Sequence, residues 1–93
     1  MKRTTDIINK LYANRSGLAK IKWNDIFEDE NDLIEALKTI KIVEKGFNTT
    51  MGYAYLSSFQ KRVNKGIDLT EKQMVQLKRL AGSIAYEILC VKR

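Results

Sequence analysis

The chain has 93 residues, 44% of them apolar and 30% charged, with 17 Lys and Arg against 11 Asp and Glu for a net charge of +6. That length suffices for one core and not for two, so a single helical domain over residues 1–93 is expected. The composition excludes a disordered tail, and the lack of any apolar run near the ~20 residues that span a bilayer excludes a membrane helix.

The opening, MKRTTDIINKLYANR, has neither the apolar stretch nor the small-residue cleavage site of a signal peptide, which makes the cytoplasm the expected compartment. Thr4 or Thr5 can cap a first helix that carries Asp6 in its first turn. Ile7, Ile8, Leu11 and Tyr12 share one face of that helix, and Asn14 to Gly17 ends it. Leu18 to Trp23 (LAKIKW) alternates apolar and polar positions, as a short strand or an extended linker would.

Asp29 to Asp32 offers several caps for a second helix with the stripe Leu33, Ile34, Leu37 and Ile40. Ile40 to Phe47 (IKIVEKGF) either continues that helix or forms a strand, residues 40–47 pairing with 18–23 in a hairpin. Thr50 is expected to cap a third helix, with Met51, Tyr55, Phe59 and Val63 spaced by four and Ala54 and Leu56 beside them. Gly66 suits the left-handed position after that helix.

Thr70 with Gln73 three residues on is a capping box, and Leu69 with Met74 is a hydrophobic staple, each worth about 1 kcal/mol. The stripe Met74, Leu77, Ala81, Ile84, Ile88 and Val91 predicts one long final helix. Gly82 within it points to a close helix contact around Ala81, Gly82 and Ser83. The expected fold is all-α, a small bundle of about four helices, with a short hairpin from 18–23 and 40–47 as the open alternative.

Chemistry is sparse in these residues. There is no histidine, so the usual base near neutral pH and the commonest metal ligand are missing. One cysteine, Cys90, makes neither a zinc set nor an internal disulfide, and it reads as a small buried hydrophobe. No phosphate-loop motif occurs, and the acidic run Glu28 to Glu35 (EDENDLIE) lacks the central glycine of a calcium loop. No cofactor, no metal and no enzymatic activity are expected.

Charge is distributed unevenly. Asn24 to Glu35 carries six acids and no cation, whereas Thr49 onward carries eight cations against Asp68, Glu71 and Glu87. Lys61, Arg62 and Lys65 close the third helix. On the last helix Lys72, Gln76, Arg79 and Ser83 recur every three or four residues, giving a polar, mostly cationic face roughly 10 Å long, and Lys78 adds to its charge. Such a surface suits phosphates, so the leading expectation is a non-enzymatic accessory protein that binds nucleic acid, DNA ahead of RNA, through Lys61, Arg62, Lys65, Lys72, Gln76, Lys78 and Arg79. A helix-turn-helix would instead read bases with Thr70, Lys72, Gln73 and Gln76. Tyr53 and Trp23 could stack on unpaired bases. The alternative is an adaptor or inhibitor that meets a protein of nucleic-acid metabolism through Glu28, Asp29, Glu30, Asp32 and Glu35.

Phe59 to Ala85 (FQKRVNKGIDLTEKQMVQLKRLAGSIA) resembles small accessory proteins of T4-type phages, in which a basic-glycine turn precedes a helix opened by L-T-x-K-Q. Leu69, Thr70, Lys72 and Gln73 match that opening, and Leu77, Arg79 and Leu80 follow in register. Some of those proteins are linked with helicases and DNA metabolism; the resemblance covers about a third of the chain and implies a phage-type, non-enzymatic protein near nucleic acid. It carries over no ligand-binding residue.

Overall fold

The computed structural model describes residues 1–2, 4–13, 21–46 and 49–90, and among them the chain forms six helices and no strand. These are α1 (Thr5–Ala13), α2 (Trp23–Ile26), α3 (Glu30–Thr39), α4 (Tyr53–Asn64), α5 (Glu71–Arg79) and α6 (Ala81–Leu89). The chain is therefore helical as expected, but it is cut into more and shorter pieces than four. The proposed hairpin is not found among the described residues. Trp23 opens a helix, residues 41–44 run without a strand partner, and residues 18–20 and 47 lie outside the described set.

Where an end signal is local, the helix obeys it. Thr4 Oγ1 accepts from the Ile7 N–H at 3.3 Å, at the start of α1. Asp29 caps α3, its carboxylate accepting from the Asp32 N–H at 2.8 Å. Both arms of the capping box are made at α5: the Gln73 N–H donates to Thr70 Oγ1 and the Thr70 N–H to Gln73 Oε1. After α4, Gly66 sits at φ 77°, with its N–H on Val63 O and the Ile67 N–H on Arg62 O. This is the paired closure that glycine permits at a helix end.

Two ends are decided at longer range. Thr50 does not cap α4; Gly52, at φ 74°, precedes the helix without a side-chain cap. Thr50 is fully buried, and its Oγ1 accepts from the Val43 N–H at 2.9 Å while its own N–H donates to Val43 O at 2.7 Å. The hydroxyl thus satisfies the backbone of the segment after α3. Gln60 acts in concert, its Nε2 donating to Leu37 O and Ile40 O at 2.9 Å each, so that α4 closes the exposed carbonyl end of α3. Together they explain why the apolar run IKIV leaves the helix.

The single long C-terminal helix is also corrected. Leu80, at φ −97° and ψ 7°, leaves helical geometry and separates α5 from α6. Its side chain lies against Gly52, where a Cβ would meet Leu80 Cδ2 at 2.7 Å. Val91 lies outside the described residues.

The buried residues form one cluster. At its centre is α6, which packs on α1, α2, α3 and α5, and its first five residues, Ala81 to Ala85, are all buried. Small side chains at 81–83 permit that approach, as the Gly82 reading anticipates. α3 bridges α6 to α4, presenting Leu33, Ala36 and Leu37 to the core. On α4 the buried line is Leu56, Phe59 and Val63. Met51 and Tyr55, expected on that stripe, are exposed: Met51 precedes the helix, and the face that α3 and α5 cover runs through Leu56, Phe59 and Val63. Cys90 is buried at the end of α6, and burial pushes its thiol pKa up. Among the described residues no helix is long and apolar enough to cross a membrane.

Candidate nucleic-acid interface

The expected cationic set divides into two places. Lys61, Arg62 and Lys65 come together on an open cleft of about 510 Å³ along α4, with Gln73 of α5 also on its wall. Lys78 and Arg79 line a different, shallower cleft of about 360 Å³ with Ile21, Trp23 and Val75. Lys72 is exposed and borders neither, and Gln76 is half-buried. The face expected through Lys72, Gln76, Arg79 and Ser83 holds its first three residues on α5 and does not reach Ser83. The break at Leu80 puts Ser83 on α6, where it is 4% exposed and part of the packed interior.

The α4 cleft is built from one helical stripe. Tyr53, Ser57, Lys61 and Lys65 follow one another at intervals of four, with Ser58 and Arg62 alongside. At 1.5 Å per residue the stripe from Tyr53 to Lys65 is roughly 18 Å long. Its two ends differ. The C-terminal end holds the three cations. Lys61 and Lys65 are exposed and take part in no ion pair with a described residue, while the Arg62 Nε–H donates to Asp68 O at 2.8 Å and braces the turn into α5. The N-terminal end holds Tyr53 and, from the loop after α3, Glu44. Glu44 stands beside Tyr53 on the cleft wall, and its carboxylate, by hydrogen bonding first and negative charge second, raises the phenol pKa above its ordinary value. Thr50 places Glu44 there by fixing the residue before it from both sides.

Around the second cleft, Lys78 is already engaged. Its ammonium lies 2.8 Å from Glu30 Oε1 and 4.7 Å from the centroid of the Trp23 ring. An ion pair at the surface is worth about 0–1 kcal/mol and an exposed cation–π contact about 0.5–1 kcal/mol. Their joint effect is to tie α5 to α2 and α3, with Lys78 covering one face of the ring.

The acidic segment is largely occupied as well. Asp29 caps α3, Glu30 meets Lys78, and Glu35 lies 3.4 Å from Lys38 on the same helix. Asp32 receives the Met1 ammonium at 2.6 Å and the Glu28 N–H at 3.0 Å. The Met1 bond, ahead of the Glu28 N–H and the charge attraction, holds its carboxyl below the ordinary range despite partial desolvation. Glu28 is exposed, and its side chain is left to solvent.

No known protein family, curated protein or solved structure matches this chain. The residues behind the phage-protein resemblance have folding duties: Leu69 packs against the core, and Thr70 and Gln73 are consumed by the capping box. The same duties remove Thr70 and Gln73 as readers for a helix-turn-helix. Sequence reasoning singled out the cations of the α4 cleft but missed Glu44, Ser57 and Ser58. The serines had a signal, since each stands four residues before Lys61 or Arg62. Glu44 had none, because its place depends on the Thr50 clamp.

Proposed function

We propose that the protein is a non-enzymatic accessory factor that binds nucleic acid, DNA ahead of RNA, chiefly through phosphates, and that the α4 cleft is where it does so. The carrying observation is the convergence of Lys61, Arg62 and Lys65 beside the Ser57 and Ser58 hydroxyls in one concavity. Lys61 and Lys65 keep their charge free of described carboxylate partners, so an approaching phosphate displaces only water and counterions. Arg62, held in place by Asp68 O, supplies the guanidinium N–H groups not used in that bond. The cations also complement the carbonyl end of α4, worth about 0.3–1 kcal/mol each, but one helix end does not require three of them.

Acidic mimicry toward a protein partner is the weaker reading, because Asp29, Glu30, Asp32 and Glu35 already serve contacts within the chain. Fluorescence anisotropy with labelled single-stranded DNA separates the parts of the surface. The Lys61→Ala/Lys65→Ala pair should weaken binding well beyond the Lys72→Ala/Arg79→Ala pair. Equal losses from both pairs would mean that binding follows overall charge, with no role for the cleft.

A further inference from the structure

The two ends of the α4 cleft ask for two different parts of one ligand. Phosphates satisfy the cationic end and are repelled from the other, where the Glu44 carboxylate stands. An ionised carboxylate only accepts hydrogen bonds, and it can accept two side by side. Tyr53 beside it offers an aromatic ring, half-exposed, on which a base can stack. Tyr53 and Lys61 are eight residues apart on α4, a rise of roughly 12 Å, so a short stretch of chain rather than a lone phosphate fills the distance.

From this polarity we infer that the cleft is a single-strand site that seats a guanine against Tyr53 and Glu44 while Lys61, Arg62 and Lys65 hold the adjoining phosphates. The inference rests on the phosphate-binding reading above and adds the strand and the base. Among the four bases, guanine alone presents two neighbouring donors, N1–H and the N2 amino group, on its pairing edge, and these match the two oxygens of Glu44. Cytosine and adenine present one amino group beside an acceptor, and thymine presents N–H between two carbonyls, so each would set an acceptor against the carboxylate. A duplex hides that edge in base pairing. The Tyr53 hydroxyl beside Glu44 can take at most one of the carboxylate's acceptor positions, so both oxygens keep lone pairs for the base. The Thr50 clamp on Val43 keeps the carboxylate at this end of the helix before any ligand arrives.

The test uses the whole chain and fluorescence anisotropy with three labelled strands: oligo-dT, the same strand with one central dG, and the same strand with deoxyinosine, which lacks the N2 amino group, in place of dG. The dG strand should bind at least about fivefold tighter than oligo-dT, in keeping with a bidentate base contact. Deoxyinosine should lose most of that margin. Glu44→Gln, at an exposed position, should erase the preference, so that the dG strand and oligo-dT bind alike. Tyr53→Phe should keep the stacking and narrow the preference. Equal binding of all three strands, or a dG preference that survives Glu44→Gln, overturns the guanine site and leaves the phosphate reading standing. No binding to any strand overturns both.

Discussion

Gly52 is the position at which a single methyl group tests the arrangement of the whole C-terminal half. Its φ of 74° is left-handed, and a Cβ there would meet Leu80 Cδ2 at 2.7 Å and Cδ1 at 3.2 Å. Gly66 provides the internal reference: its φ is 77°, and nothing lies within 4 Å of its Cβ position. Gly66→Ala therefore incurs the dihedral cost alone, about 1–2 kcal/mol. Gly52→Ala incurs the same cost and must also move Leu80, the residue that joins α5 to α6. What it meets is the tip of a half-buried side chain, whose displacement costs a further ~1 kcal/mol, so Gly52→Ala should lose about 2–3 kcal/mol in all. For a domain of this size each kcal/mol shifts the melting temperature by about 4–8 °C. Thermal unfolding followed by far-ultraviolet circular dichroism should thus place Gly52→Ala well below Gly66→Ala, with both below the parent. Superimposable melting curves for the two variants would refute the packing of Leu80 on Gly52.

Thr50→Val preserves shape but removes the hydroxyl that receives the Val43 N–H, so it should destabilise by about 1–3 kcal/mol, whereas Thr50→Ser, which keeps the hydroxyl, should cost about 1 kcal/mol; chemical denaturation that ranks them the other way would contradict the clamp. Asp32 has a folded pKa below its ordinary value of about 4, so its contribution to stability is present above that value and lost as pH falls through the lower folded value. Asp32→Asn should accordingly be less stable than the parent at neutral pH by about 1 kcal/mol and show a flatter decline on acidification; parallel curves would remove Asp32 from the account. Cys90, buried with its thiol pKa raised, should react with an aromatic disulfide reagent at least ~10-fold more slowly in the native protein than after unfolding, and equal rates would show that the thiol is accessible.

The parts of this fold that were legible in the sequence are those decided within one helical turn. Asp29 at α3, the Thr70–Gln73 box at α5 and Gly66 after α4 each need only neighbours three to five residues away. Thr50 is a good cap type by the same logic, yet its hydroxyl is drawn to Val43 seven residues earlier, a partner that exists only once the chain after α3 has folded back. The break at Leu80 was illegible because the apolar stripe runs through it without interruption. The contact of its side chain with Gly52, far away in sequence, was illegible too. The candidate site follows the same division. Lys61, Arg62 and Lys65 could be grouped from helical spacing, while the Tyr53–Glu44 pair and the Glu30–Lys78–Trp23 contact join elements whose approach no local pattern encodes.

The central claim, that phosphates bind at Lys61, Arg62 and Lys65, is tested most directly by a salt titration of single-stranded DNA binding. Three phosphate contacts predict a slope of log affinity against log salt near −2, and Lys61→Ala/Lys65→Ala should reduce its magnitude by about 1.4. A slope unchanged by those two substitutions would contradict the claim.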